Sequence, residues 1–271
     1  MRRKCVCNNE VLALAGESDT RIRQRPANMT PKAALKALLA TLMPQRVYVA
    51  VNARVAARDI CAGTRWAPEI DLLPRFVQAG DTVVDVGANH GMYTYHLSRL
   101  VGSGGKVHAF EPLPANLTIL RHTVKTLKLQ NVTVHPQGCG NRNEQVKFYV
   151  PVKQGIPQLA RARPGLAGAQ YDCEIVRLDD VIEARIRFLK VDVEGAELHV
   201  FRGAERILRE SRPAILFEAG GETRDFGYEQ DAVFDFLRER GYKFFSGGFR
   251  GKALEPRARF TDAEDYFAMA E

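Results

Sequence analysis

The chain has 271 residues, 45% hydrophobic and 26% charged, which are ordinary globular values and exclude wholesale disorder and low-complexity or collagen-like architecture. Its net charge of +7 is uneven: residues 1–66 carry 12 Lys and Arg against 4 Asp and Glu, and residues 67–271 carry 27 against 28. The body is therefore neutral, which argues against a nucleic-acid partner for the protein as a whole.

The longest stretches free of Asp, Glu, Lys and Arg are 13 residues, such as Val86–Ser98, so no transmembrane helix is expected. Met1-Arg-Arg-Lys leads into Cys5-Val-Cys7 without the apolar core of a secretory signal. The five cysteines (5, 7, 61, 139 and 173) are too scattered for a disulfide framework. A reducing, cytoplasmic location is the expectation.

In chain order, residues 1–29 read as a polar, flexible segment. Thr30-Pro31 opens a helix whose Leu35, Leu38, Leu39, Leu42 and Met43 form an apolar stripe, ended by Pro44. Val47, Val51 and Val55 suggest a second short helix with Arg54 and Arg58 exposed. Residues 1–66 are thus a basic, partly flexible helical extension, and 67–271 the main domain. Trp66 is expected to pack at the junction, and Glu69 to be a surface acid.

From residue 81, short apolar runs alternate with helices. The runs are Thr82–Val86, Lys106–Phe110, Asn131–His135, Phe188–Val193 and Ala214–Glu218. Helices are expected to about Leu100, from Pro114 to Leu129, to about Glu210, and over Asp231–Arg240. Glu144–Val150 alternates like a hairpin strand, 151–172 reads as a loop insertion, and Tyr242–Ser246 and Tyr266–Ala270 close the sheet. This rhythm predicts an α/β fold, a mostly parallel sheet between helical layers.

In such a sheet, ligands bind beyond the carboxyl ends of the strands. Those ends carry Asp85-Val-Gly87-Ala-Asn89-His90-Gly91, Glu111-Pro112, Gly138-Cys-Gly-Asn141, Asp192-Val-Glu194-Gly195 and Glu218. Gly87 and Gly91 allow close backbone approach before a helix N-terminus. Glu111, 24 residues after Gly87, suits the hydroxyls of a ribose. Asn89 stands where a dinucleotide motif needs its second glycine, and a phosphate-binding G-x-x-x-x-G-K motif is absent. Acidic strand ends repel a diphosphate and favour a cation, so S-adenosylmethionine (SAM) fits better than a nicotinamide cofactor. The cofactor-binding candidates are Asp85, Gly87, Asn89, Gly91, Glu111 and Gly138. A nicotinamide-dependent oxidoreductase and a nucleic-acid methyltransferase are the alternative readings.

Val83–Tyr93, Val107–Pro112, Val176–Val181, Phe188–Glu197 and Phe201–Glu205 together resemble the FkbM family of SAM-dependent methyltransferases, in the family's order, over roughly residues 69–220. The resemblance implies the class I methyltransferase fold, a Rossmann-like three-layer sandwich whose seven-stranded sheet has an antiparallel last strand. It also implies O-methylation of a hydroxyl on a sugar, polyketide or related natural product. The expected partner is a small-molecule or glycan acceptor; its identity and the oligomeric state are not implied.

The catalytic candidates are Asp192, Glu194 and His90. Asp192 and Glu194, two apart on a strand, should share a face; one acts as general base and the other orients the acceptor. His90, at the mouth of the glycine turn, is a second candidate base. Asp192, Glu194 and Glu218 form an alternative oxygen-ligand set for a divalent ion, but carboxylates also gather at strand ends without metal, and no metal ligand is assigned. The other histidines, His96, His108, His122, His135 and His199, show no ligand spacing.

Overall fold

The computed structural model describes residues 45–151, 168–247, 254–261 and 265–271. Helix α1 (Gln45–Cys61) and a 3-10 segment, Pro68–Arg75, precede β1 (Thr82–Val86), α2 (Met92–Val101), β2 (Lys106–Phe110), α3 (Pro114–Thr126) and β3 (Val132–His135). Next come β4 (Gly138–Cys139), β5 (Glu144–Pro151), β6 (Gly168–Val176), α4 (Leu178–Val181) and β7 (Phe188–Val191). The chain continues through α5 (Glu197–Arg202), α6 (Glu205–Glu210), β8 (Ala214–Glu218), a second 3-10 segment at Gly221–Phe226 and α7 (Asp231–Arg238). It closes with β9 (Tyr242–Gly247), β10 (Leu254–Arg257) and β11 (Asp265–Ala270).

The main sheet runs β10-β9-β11-β8-β7-β1-β2-β3. Strands β3, β2, β1, β7 and β8 are parallel, and β11 is antiparallel to both β8 and β9. This is the class I methyltransferase order, with all seven expected strands. An eighth, β10, pairs antiparallel with β9 at the edge.

Side chains alternate between two cores, as strand geometry requires. Val84, Val86, Leu189, Val191, Ile215 and Phe217 pack with α5, α6 and α7. Val83, Phe188, Leu216 and Phe267 pack with α2 and the first 3-10 segment. Both faces are covered, which explains why the central strands read as continuous apolar runs.

Five expectations are corrected. The ends of the 151–172 insertion are not loop: Pro151 pairs with Gly168 at one end of an antiparallel β5–β6 ladder, and β4-β6-β5 forms a separate sheet. In α1, Val47 and Val51 are exposed, and Ala53, Ala56, Ala57 and Ile60 are buried. Ala53 and Ala56 meet Ile119 of α3, because small side chains let two helix backbones approach closely. Trp66 is exposed, its indole donating to Asp71 at 3.3 Å. Glu69 is buried and accepts a hydrogen bond from the Tyr93 hydroxyl at 3.2 Å. The single helix expected to Glu210 is broken after Arg202. A Cβ at Gly203 would lie 1.9 Å from the Gly140 carbonyl oxygen, so two backbones touch there. The helix expected from Thr30 and the central part of the insertion, 152–167, lie outside the described residues.

Among the described residues no helix is long and apolar enough to cross a membrane. Cys61, Cys139 and Cys173 are free thiols.

Candidate active site

The carboxyl ends of β1, β2 and β7 open into a cavity of about 420 Å³. β1 ends at Val86, and the Gly87 and Ala88 amides donate to the Phe110 carbonyl at 3.0 and 2.9 Å. Gly87 has φ +77, and a Cβ there would lie 1.8 Å from the Asp192 carbonyl oxygen. The turn after β1 therefore rests directly on the turn after β7, and only glycine leaves room.

Asn89, at φ +48, points its amide at Glu111 Oε2, 2.9 Å away. The Leu113 amide donates to Glu111 Oε1 at 3.0 Å. Glu111 is buried on the cavity wall. Burial pushes its carboxyl up to about 7, against the pull of these amides and of Asn116.

The turn after β7 departs from the expected strand geometry. β7 ends at Val191, so Asp192 and Glu194 are not alternate strand residues. Glu194 sits at φ +56 and Gly195 at φ +102, and this tight turn brings both acids to the cavity wall. Glu197 holds it: Oε1 accepts the Val193 and Gly195 amides at 3.1 and 3.2 Å. The Tyr228 hydroxyl adds a bond to the Gly195 carbonyl.

Burial pushes the Glu197 carboxyl from its ordinary 4.5 up to about 7. The folded state thus holds this proton more tightly than the unfolded chain, and stability falls as pH rises through the window 4.5–7. Replacing Glu197 with Gln keeps an oxygen for both amides and removes the proton. The stability difference between about pH 5 and pH 8 is expected to shrink by about 2–3 kcal/mol in urea titrations; an unchanged difference refutes the assignment.

Asp192 Oδ2 is 2.8 Å from Lys190 Nζ. Burial pushes the Asp192 carboxyl up, but the Lys190 charge and hydrogen bonds with Glu218 and Lys190 outweigh it and hold it below the ordinary value. Glu218, behind it, is driven up to about 9 by burial, its hydrogen bond with Asp192 and the charges of Asp192, Glu194 and Asp265. At neutral pH Asp192 carries the charge and Glu218 the proton.

Of the residues expected at a site, Gly87, Asn89, Glu111, Gly138, Asp192 and Glu194 line the cavity. Asp85 lies beneath, fully buried, accepting from Thr94 Oγ1 at 2.6 Å, with its carboxyl raised by burial. His90 and Gly91 are not on the cavity wall. Arg65 Nη1 is 2.7 Å from His90 Nδ1; a guanidinium can only donate, so Nδ1 accepts.

Several wall residues escaped the sequence reading. Asn116 follows Glu111 on α3, and Val146, Phe148 and Ile175 come from β5 and β6. Val146 and Phe148 are two apart in the alternating run, which was the available signal. His199 also lines the cavity, beside Phe226. Burial pulls its imidazole below the ordinary value, so it is neutral at pH 7.

Among the described residues the wall carries four carboxyl side chains, Glu111, Glu144, Asp192 and Glu194, against one guanidinium, Arg142. Arg142 is already paired with Glu144 at 2.9 Å. Among the described residues no group of three or more His, Cys, Asp or Glu is arranged to hold a metal ion.

Comparison with known proteins agrees with this geometry. The profile of the Methyltransferase FkbM domain matches residues 85–244. Methyltransferase 1 of Beauveria bassiana (strain ARSEF 2860) is 26% identical over 45% of this chain and 58% of its own length. The 31-O-demethyl-FK506 methyltransferase FkbM of Streptomyces tacrolimicus is 30% identical over 48% of this chain and 61% of its own length. The chain thus spans about three fifths of each of these relatives. A solved structure of Methyltransferase FkbM from Methylobacillus flagellatus KT is 20% identical, with a TM-score of 0.48, covering 69% of this chain and 43% of that one. With the matched profile extending from Asp85 at the glycine turn to Phe244 in β9, the chain belongs to the FkbM methyltransferase domain family.

Proposed function

We propose that the protein is a SAM-dependent O-methyltransferase acting on a hydroxyl of a sugar, polyketide or related small molecule, with residues 67–271 as the catalytic domain. The observation that carries this reading is the cavity wall, which among the described residues holds four acids and one guanidinium, the latter paired with one of those acids, Glu144, at the switch point of a parallel sheet. Such a wall favours a cationic ligand without phosphate over a dinucleotide. Glu111, buried and facing the cavity, suits the ribose diol; Gly87, Asn89 and Gly138 suit close backbone approach to the nucleoside. Bound there, SAM supplies a methyl group already activated on a sulfonium.

The chain's own residues then have two tasks, to align a hydroxyl oxygen and to take its proton. Asp192 is held ionised by Lys190, which makes it a weak base and a permanent negative charge facing the cofactor. Glu194, on the same wall, is the better placed proton acceptor. The name of the Streptomyces relative, a 31-O-demethyl-FK506 methyltransferase, supports oxygen as the atom methylated. The apolar side chains of Val146, Phe148, Ile175 and Phe226 provide a surface for the body of the acceptor.

Calorimetry tests the cofactor, and radiolabelled SAM screened against glycan and polyketide hydroxyls, with and without a chelator, tests the reaction. No SAM binding, or binding of NAD(H) instead, overturns the proposal. Glu111→Gln, which sets an amide NH₂ against a backbone N–H, is expected to weaken SAM binding by about 10–100-fold. Unchanged affinity removes Glu111 from the site.

A further inference from the structure

Four ionisable residues occupy one face of the sheet at its carboxyl end. Val83, Phe188, Leu216 and Phe267 mark the face covered by α2 and the first 3-10 segment. Two residues further along β1, β7 and β8, and two residues earlier on the antiparallel β11, that face carries Asp85, Lys190, Glu218 and Asp265. Register brings them together: Asp85 lies opposite Lys190, and Glu218 opposite Asp265.

Lys190 is the unexpected member. Phe188, Leu189 and Val191, its neighbours in a central strand, are fully buried, and an apolar residue is the ordinary occupant of such a position. The Lys190 side chain is 4% exposed, whereas that of its partner Asp192 is 38% exposed. Its ammonium sits 2.8 Å from Asp192 Oδ2 and 4.7 Å from the centre of the Tyr93 ring. Tyr93 is anchored in turn by buried Glu69 at 3.2 Å. A buried ion pair is a poor way to stabilise a sheet, because well-packed apolar residues do as well or better. The pair is also asymmetric, with the cation sealed in and the anion facing the cavity.

Building on the SAM reading above, we infer that Lys190 is a positioning residue, a sealed cation that holds Asp192 as the anionic wall by which the site distinguishes the positively charged cofactor from its neutral demethylated product, S-adenosylhomocysteine. The titratable groups around the pair are Asp85, Tyr93, Glu194, Glu197, Glu218 and Asp265. Among the described residues, Lys190 is the cation that faces these acids. Without its charge, Asp192 and Glu218 compete for protons, and the wall neutralises as pH falls.

The test is calorimetry of SAM and of S-adenosylhomocysteine on the full chain between about pH 6 and 8.5, for wild type, Lys190→Met, Lys190→Arg and Asp192→Asn. The ratio of the two affinities cancels pH effects from Glu111, since both ligands carry the same ribose. Lys190→Met is expected to lower SAM affinity about tenfold or more at the acidic end, with S-adenosylhomocysteine affected about threefold or less. Lys190→Arg restores the preference, and Asp192→Asn, which keeps the lysine, loses it at every pH. A wild-type ratio in either Lys190→Met or Asp192→Asn overturns the inference, as does an equal loss of both ligands, which marks a purely structural lysine. Should Lys190→Met not fold, Lys190→Gln replaces it and is read by the same ratio. Wild-type protein that binds neither ligand overturns the SAM reading itself, a different outcome from any of these.

Discussion

Replacing Glu194 with Gln is expected to leave SAM affinity within about threefold of wild type and to slow methyl transfer by about 10²–10⁴-fold, the usual contribution of a positioned general base. Asp192 and Glu194 line the same wall, but their surroundings separate their roles. Lys190 fixes Asp192 as an anion of low basicity, whereas Glu194 stands at the crest of a left-handed turn, φ +56. A non-glycine residue in that conformation is strained, and such strain concentrates at functional sites. Glu197 and Tyr228 hold the turn from below. The measurement is single-turnover transfer from radiolabelled SAM to an acceptor found by screening, with affinity measured separately by calorimetry. Full activity in Glu194→Gln, or a loss explained entirely by weaker SAM binding, refutes the assignment. His90 gives a contrast: its Nδ1 faces Arg65 and it does not line the cavity, so its replacement is expected to act through the turn rather than on proton transfer.

Gly87→Ala should be the most damaging single methyl group in the site. The new Cβ would lie 1.8 Å from the Asp192 carbonyl oxygen, at a φ of +77. Neither backbone can yield cheaply. The Gly87 and Ala88 amides are bonded to Phe110, and the Asp192 amide to the Val86 carbonyl at 3.1 Å. The turn that presents Asn89 and the turn that presents Glu194 must then separate. A cost of about 3 kcal/mol is expected, lowering Tm by about 6–12 °C for a domain of this size. SAM binding should be lost even where the protein remains folded, because Asn89 and Asp192 no longer share one wall. A variant with wild-type Tm and affinity would show that the two turns do not meet as described.

The architecture was readable in the linear sequence because it rests on local signals. Runs such as Thr82–Val86 and Ala214–Glu218 are short, apolar and rich in β-branched or aromatic residues, and each is followed by a helical period. Order along the chain and right-handed crossovers then leave few topologies. The position of Glu111 at the end of β2 follows from the same logic. Less was legible wherever a neighbour decides. Nothing in α1 marks alanine rather than valine as the packed side. The deciding fact is that α3 presents Ile119 there. Glu69 reads as a surface acid until the Tyr93 hydroxyl is brought against it. His199 looks unremarkable in a helix until the second sheet closes the cavity above it.

The amino-acid order alone therefore marked the strand runs of the main sheet other than β10, and the acidic and glycine-rich strand ends that line the cavity, but not β4, β6 or the second sheet. Those properties depend on side-chain periodicity and backbone freedom within a few residues. Only the tertiary structure decided which acid of the Asp192–Glu218 pair favours the charge and which the proton. Lys190, Asp192 and Glu218 acquire these states from burial and from charges on different strands, and electrostatic energy in a low-dielectric interior depends on separation in space, not along the chain.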